Sequence, residues 1–301
     1  TSVLAPIDAQ QILSALVADD PEGRAALDVL RPEVITHTRA AYDALYRQPH
    51  PLPADVLHAL AAVTADWQGS GPLAAWHRTQ GAQQALAAAD PVTHDPALQA
   101  LRDHADLLSI SPALVTDADQ EHLAAAGHDP STAVLISQLV SFESHLQRLV
   151  AGLAALHGLE VPTADAPVRT PRTRGRSAQH GGTTQSGRTR PERFTRAQLQ
   201  WEPWIEVPAE EELTDEQRSS FASKASTNSV YFRMLSLTPG ITRARSELDN
   251  AIFLPRDGLP KAERELAAAV TSKVNDCIYC ASVHARKAAA LPGRADAVDA
   301  L

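Results

Sequence analysis

The chain has 301 residues, a length that allows two domains and a sizeable core. Its net charge of −9 and pI of about 5.7 make nucleic acid an unexpected partner, and no apolar run approaches the roughly 18 to 20 residues that a membrane span needs. Aromatic residues make up 4% of the chain, and the prevalence of alanine and leucine favours helix bundles over β-sandwiches. We therefore predict an all-α protein with neither a nucleic-acid nor a membrane partner.

Helical periodicity dominates the first half of the sequence. Apolar residues recur every three or four positions in five stretches that we predict to be helices: 9–18, 22–30, 32–47, 97–108 and 133–156. The proline-rich sequence His50-Pro51-Leu52-Pro53 ends the third of these patterns. On the last helix, Glu143, His145 and Arg148 are predicted to be solvated or to lie at an interface rather than to line a pocket.

The apolar pattern stops between residues 161 and 192. Prolines and glycines are mixed there with six arginines, from Arg169 to Arg190, a composition typical of a flexible linker. These arginines could lie against an acidic part of the protein, but we predict that they are solvated. A nucleic-acid-binding tail is unsupported, because no aromatic residues lie between the arginines. The sequence thus divides into a unit of residues 1–160, a linker of residues 161–192 and a unit of residues 193–301.

Two tryptophans follow the linker in the sequence Trp201-Glu-Pro-Trp204. Because the segment is extended and contains proline, we predict that both rings pack on the first unit or on a neighbouring subunit rather than stack on a substrate. Helical patterns then occur in four stretches: 210–224, 231–237, 239–252 and 296–301.

Both cysteines lie in one stretch near the end of the chain, Cys277-Ile-Tyr-Cys280-Ala-Ser-Val-His284. Spacings of three and four residues place the two thiols and the imidazole on one face of a helix. We predict that this helix begins at the cysteines, because Asn275-Asp276 is a favoured N-cap pair. A bend there lets the carboxylate of Glu265 return towards His284, which a straight helix would place about 28 Å away at about 1.5 Å per residue.

This arrangement predicts redox chemistry at sulfur. The start of a helix favours a thiolate, which is the form that attacks a disulfide or the O–O bond of a peroxide. Attack on a peroxide yields a sulfenic acid, and a neighbouring thiol converts it to a disulfide. Two closely spaced cysteines, with no signal-like apolar segment at the start, fit a cytoplasmic enzyme better than a secreted protein held together by disulfides.

The pattern Glu-x11-Cys-x2-Cys-x3-His, preceded by Leu259-Pro260, resembles the AhpD-like alkylhydroperoxidases of the carboxymuconolactone decarboxylase-like superfamily. The resemblance implies a helical bundle with no bound organic cofactor and no metal, a peroxide substrate, and reduction by an external dithiol such as a lipoyl group. Relatives in this superfamily are commonly homo-oligomers.

The resemblance also implies a role for each residue of the motif. Cys280 attacks the peroxide, Cys277 is the resolving thiol, His284 activates Cys280, and Glu265 is the final proton acceptor. Some members carry a second histidine between the cysteines, where this chain has Tyr279. Any role for that histidine is therefore unfilled.

A similar pattern occurs upstream at a constant offset of 207 residues. Leu52-Pro53 then falls on Leu259-Pro260, and His77 falls on His284. At the chemical positions the upstream copy differs: His58 stands for Glu265, Ser70 for Cys277 and Leu73 for Cys280. We interpret the chain as two tandem units, of which the first has lost its thiols and the second lacks a counterpart of residues 133–156, as if shortened at its C-terminus. His77 is predicted to be a bystander, on the surface or hydrogen-bonded in the core.

Other interpretations of the cysteine motif stay open. Cys-x2-Cys-x3-His supplies three ligands of a zinc site, although no further cysteine is present for the fourth. A second alternative is a structural cysteine pair, with the fold serving as a non-redox binding or assembly module. A decarboxylase or lactone-handling activity that does not depend on the cysteines is a third alternative. A c-type haem site is excluded, because Ala281 stands where haem attachment needs histidine.

Overall fold

The computed structural model describes residues 7–88, 94–165, 169, 182–291 and 295–301. Within these residues the only β-structure is an isolated bridge between Thr183 and Thr189, so the chain is all-α as predicted. The α-helices in chain order are α1 (Ala9–Ala18), α2 (Pro32–Tyr46), α3 (Ala54–Gln68), α4 (Gly71–Thr79), α5 (Gln84–Ala87), α6 (Pro96–Ile110), α7 (Asp117–Ala125), α8 (Pro130–Leu156), α9 (Asp215–Ser219), α10 (Val230–Leu235), α11 (Pro239–Phe253), α12 (Lys261–Val274), α13 (Ile278–Ala289) and α14 (Ala295–Asp299). No described helix combines the length and the apolar character needed to cross a bilayer.

The core of the first half is built around α3. Every residue of this helix from Val56 to Trp67 is buried, because α2, α4, α5, α6 and α8 pack around it. The helix ends at Gly69, whose φ of 82° lies in the left-handed region that glycine adopts without strain. Burying one leucine side chain contributes about 1.5 to 3 kcal/mol, and Leu57 and Leu60 of α3 are almost fully buried.

The first half differs from prediction at residues 22–30, where a 3₁₀-helix (Pro21–Leu27) replaces the expected α-helix. This short helix lies directly against α1. At Gly23 a Cβ atom would lie 2.0 Å from the carbonyl oxygen of Gln11, so only glycine permits the approach.

The second half is attached to the first through α11, which packs along α2. Ile241 and Ala244 of α11 are part of the hydrophobic core of the first half. A separate, smaller core lies between α12, α13 and α14 and consists of Ala269, Ala285, Ala288 and Val298. The small side chains allow α12 and α13 to pack closely as an antiparallel hairpin.

The predicted acidic helix at residues 210–224 is broken into short pieces. A 3₁₀-helix (Glu210–Glu212) ends at Leu213, whose backbone is extended, and α9 begins only at Asp215. The reason is local, since the Thr214 hydroxyl accepts a hydrogen bond from the Gln217 backbone and starts a new helix.

The described parts of the predicted linker contact folded elements. The Pro162 carbonyl accepts a hydrogen bond from the Gly71 N–H at 3.0 Å, and the Arg169 side chain forms an ion pair with Asp106. The prediction of solvated arginines is therefore wrong for Arg169, because an acidic side chain of α6 lies within reach. Residues 166–168 and 170–181 of the predicted linker lie outside the described residues.

Three consecutive helices of each half begin at equivalent positions. The first residues of α2, α3 and α4 are Pro32, Ala54 and Gly71, and those of α11, α12 and α13 lie 207 positions later in each case. The offset found in the sequence is thus also the offset between helix starts.

Candidate active site

The hairpin of α12 and α13 brings Glu265 against His284. Glu265 lies in the second turn of α12 with only 2% of its surface exposed, and its Oε2 is 2.8 Å from Nδ1 of His284. The ring of Phe253 stacks on the imidazole with centroids 5.7 Å apart. With Nδ1 hydrogen-bonded to the carboxylate, the neutral imidazole carries its proton there and leaves Nε2 as an acceptor.

Cys277 is itself the N-cap of α13. Its Sγ accepts a hydrogen bond from the backbone N–H of Cys280 at 3.3 Å. The cap was expected at Asn275-Asp276, but Asn275 ends α12 and Asp276, with φ of 56°, turns the chain in the left-handed region. A sulfur at a helix start receives backbone N–H groups and the positive end of the helix dipole.

The two thiols have opposite electrostatic surroundings. The pKa of Cys277 is lowered, mainly because the Cys280 thiol donates a hydrogen bond to it and also because backbone N–H groups of Cys280 and Tyr279 point at its sulfur. The pKa of Cys280 is raised well above the ordinary value by that same hydrogen bond and by burial, against a smaller lowering by the charge of Arg245. The first proton to leave the pair is therefore that of Cys277.

Both cysteines are free and partly buried, so neither is sealed inside the core. Across the described residues, no three side chains of histidine, cysteine, aspartate or glutamate are arranged to hold a metal ion. The geometry therefore does not support the zinc-site alternative, although three candidate ligands occur in the sequence at suitable spacing.

A cavity of about 930 Å³ adjoins the start of α13. Ile278 and Tyr279, which lie between the two cysteines, form part of its wall. Trp201 and Trp204 form another part, and the Trp201 ring centroid lies 5.6 Å from that of Tyr231. The Trp201 ring contacts Tyr231 and Tyr279 of the second unit, so the predicted packing on the first unit or on a neighbouring subunit stays a prediction.

The upstream copy of the hairpin contains a buried polar network instead of thiols. His58 and His77 lie Nδ1 to Nδ1 at 3.0 Å, and Nε2 of His77 lies 2.9 Å from Glu143 Oε2. The Tyr46 hydroxyl donates to the other oxygen of Glu143. His77 is thus a hydrogen-bonded core histidine, as predicted.

The prediction for Glu143 is wrong, because this glutamate is fully buried. Its place between Leu139 and Leu146, on the apolar face of α8, was the sequence signal for burial. Its two hydrogen-bond partners, Tyr46 and His77, are far from it in sequence and could not be assigned before the fold was known.

Arg245 is a further residue near the cysteine pair, and its sequence context does not distinguish it. It lies on the cavity wall, and its Nη2 donates to the Tyr231 hydroxyl at 3.0 Å. An arginine in the middle of an amphipathic helix is ordinary in sequence, and no local motif distinguishes it. Its position becomes informative only when α8, α10 and α13 surround it.

Comparison with known proteins adds one finding. Residues 239–301, which contain α11 and the whole cysteine hairpin, match the model of the carboxymuconolactone decarboxylase family. Neither the curated proteins nor the solved structures contain a match to the chain.

Proposed function

We propose that the chain is a thiol-dependent peroxidase of the AhpD-like type, on the premise that residues 239–301 match the model of the carboxymuconolactone decarboxylase family. The observation that carries the proposal is the contact, at 2.8 Å, of buried Glu265 on α12 with His284 on α13. Two thiols lie at the start of α13, and their pKa values are shifted in opposite directions. A structural cysteine pair has no need of a carboxylate and an imidazole arranged in series.

In the proposed first step Cys280 loses its proton. Its raised pKa means that it is a thiol at neutral pH and needs a base. His284 lies four residues after Cys280 on the same face of α13, which is one helical turn away. In the proposed step its Nε2 accepts the proton of the Cys280 thiol. The carboxylate of Glu265 stabilises the imidazolium that forms and accepts the Nδ1 proton.

The thiolate of Cys280 then attacks one peroxide oxygen and breaks the O–O bond. The sulfur becomes a sulfenic acid, and the other oxygen leaves as an alcohol once the proton taken from Cys280 returns to it through Nε2 of His284. Cys277 then attacks the sulfenic sulfur, and its proton passes to the departing hydroxide, so that the disulfide forms and water is released. Two thiols and one hydroperoxide are thus converted into one disulfide, one alcohol and one water, with both electrons coming from the thiols.

The lowered pKa of Cys277 suits the resolving role, because a thiol that ionises more readily attacks the sulfenic sulfur more readily. We propose that an external dithiol, such as a lipoyl group, regenerates the pair by thiol–disulfide exchange. The proposed setting is the cytoplasm, where reducing conditions keep the dithiol available. A homo-oligomer is also proposed, and exposed Val270 and Val274, one turn apart on α12, offer an apolar contact for a second copy.

The test counts free thiols before and after one equivalent of an organic hydroperoxide. The wild-type chain is expected to lose two thiols. The variant Cys280→Ser is expected to keep its remaining thiol over the time in which the wild-type chain reacts. The matched variant Cys277→Ser should still react at Cys280 but form no intramolecular disulfide. Unreactive thiols in the folded wild-type chain would support the non-redox binding or assembly module instead.

A further inference from the structure

We propose that the cavity beside the cysteine pair binds an organic carboxylate with a long apolar or aromatic body, and that Arg245 binds its carboxylate group. The binding claim stands on the cavity alone. That the bound molecule is also the hydroperoxide substrate rests on the proposed function.

The size and walls of the cavity fit such a ligand. Its volume of about 930 Å³ is at the upper end of the roughly 300 to 1,000 Å³ typical of small-molecule sites. Four aromatic side chains line it: Trp201, Trp204, Tyr231 and Tyr279. Aromatic walls bind apolar surface well and offer few hydrogen bonds to a small polar substrate.

The charge of Arg245 has no anionic partner within the described part of the chain. Its guanidinium donates to the Tyr231 hydroxyl at 3.0 Å and to Gln138 Oε1 at 3.4 Å, both neutral acceptors. Asp249, one turn further along α11, acts on it only at longer range. A guanidinium has five N–H donors in a planar fork that matches a carboxylate, so this side chain can still bind one.

The other charges on the cavity wall are also mainly positive. Arg188 and Arg190 line it opposite a single carboxylate, Glu202, which already interacts with Arg188 and Ser186. Arg190 lies over the ring of Trp204, 5.7 Å from its centroid, with no ion pair to any described residue. A local positive excess in a chain of net charge −9 favours an anionic ligand.

The site is built from both halves of the chain. Gln138 of α8, in the cysteine-free half, hydrogen-bonds to Arg245 and also to Thr242 of α11. Other residues of α8, including Val134 and Ser137, line the same wall. The first half thus has a role in ligand binding although it lacks the thiols.

The experiment measures binding of decanoate and of 1-decanol by quenching of tryptophan fluorescence and by calorimetry. The double variant Cys277→Ser/Cys280→Ser serves as the parent, so that peroxidase activity does not enter. Decanoate is expected to bind at least about 10-fold more tightly than the neutral alcohol of equal length, because only the carboxylate forms a charge-assisted hydrogen bond to the guanidinium. Equal binding of the two probes, or binding of neither, would overturn the inference.

Two matched arginine variants locate the carboxylate. Arg245→Met is expected to weaken decanoate binding about 10-fold or more and leave decanol binding unchanged. Arg243→Met, on the exposed side of α11, is expected to change neither. An equal loss in both arginine variants would show only a general effect of surface charge and would overturn the assignment to Arg245. The wild-type preference for decanoate tests the proposal even if Arg245→Met fails to fold.

The two proposals fail separately. Selective decanoate binding together with thiols that do not react with peroxide would leave the ligand site standing and remove the peroxidase. Peroxide-reactive thiols without decanoate binding would do the reverse.

Discussion

Cys277 and Cys280 are only three residues apart, yet their surroundings differ at the level of single hydrogen bonds. Cys277 accepts a backbone N–H at the start of α13, whereas Cys280 donates its own proton towards Cys277. This difference in pKa is the basis for the roles that we propose for the two cysteines. The thiol that is easily ionised resolves, and the thiol that needs a base attacks.

Limited alkylation with iodoacetamide tests this inequality. Because only the thiolate reacts, and the pKa of Cys277 is lowered while that of Cys280 is raised, Cys277 should be modified first as pH rises. Its midpoint should lie below that of a free cysteine. The variant Cys280→Ala removes the donor and should move the Cys277 midpoint upwards. Peptide mapping that finds Cys280 modified first would contradict the assignment.

Glu265→Gln tests the proton relay. Glutamine keeps the size and an acceptor for His284 but cannot take a proton, so peroxide-driven thiol loss should slow about 100-fold while the circular dichroism spectrum stays unchanged. The control is Glu216→Gln, the same change at an exposed position on α9. Rates equal to wild type between pH 6 and 8 would remove Glu265 from the mechanism.

At the residue scale, the sequence was sufficient for the contact between Glu265 and His284. A carboxylate, two thiols and an imidazole at these spacings converge once the chain bends between them. It was insufficient for Arg245, whose environment depends on residues 138 and 231 from other elements. Contacts fixed by one hairpin were predictable, and contacts among three elements were not.

The hairpin of α12 and α13 is held together by small side chains. Ala269, Ala285 and Ala288 are fully buried between the helices, so the approach of Glu265 to His284 depends on their size. The helices themselves were predictable from periodicity, and α1 (Ala9–Ala18) falls at its predicted bounds. The failures at 22–30 and 210–224 occur where local capping and a close approach to α1 override periodicity.

Ala285→Leu tests this packing. The added volume should lower the free energy of unfolding by about 1 to 3 kcal/mol and slow the peroxide reaction, because α13 is pushed away from α12. The control Ala267→Leu lies on the exposed face of α12 and should change stability by less than about 0.5 kcal/mol. Urea unfolding measures both. Equal effects of the two variants would show that the hairpin is not tightly packed at Ala285.

At the scale of the whole molecule, the two halves share a helix plan but not a chemistry. The starts of α2, α3 and α4 recur after 207 residues, and the pair His58–His77 occupies the place of Glu265–His284. We propose on this basis that the halves are related units, with α2 and α11 packed against each other. The sequence offered the offset, but the burial of Glu143 and the shared cavity required the tertiary structure.

The proposed oligomer is also a property of the whole molecule. Val270 is 41% exposed and Val274 is 57% exposed on one face of α12. Val270→Lys should convert the oligomer to a monomer, as measured by light scattering after size exclusion, because it places a charge in the apolar contact. Val29→Lys, at a valine that is 58% exposed elsewhere, is the control and should keep the oligomer. A wild-type chain that is monomeric in solution would contradict the proposed oligomer.

Trapping the sulfenic acid tests most directly whether Cys280 is the sulfur that attacks the peroxide. The variant Cys277→Ser is treated with one equivalent of an organic hydroperoxide in the presence of dimedone, and the adduct is located by mass spectrometry. We predict an adduct on Cys280 in this variant and a marked loss of adduct when Glu265→Gln is added. No adduct on Cys280 in the variant Cys277→Ser, together with an adduct on Cys277 in the matched variant Cys280→Ser, would contradict this assignment.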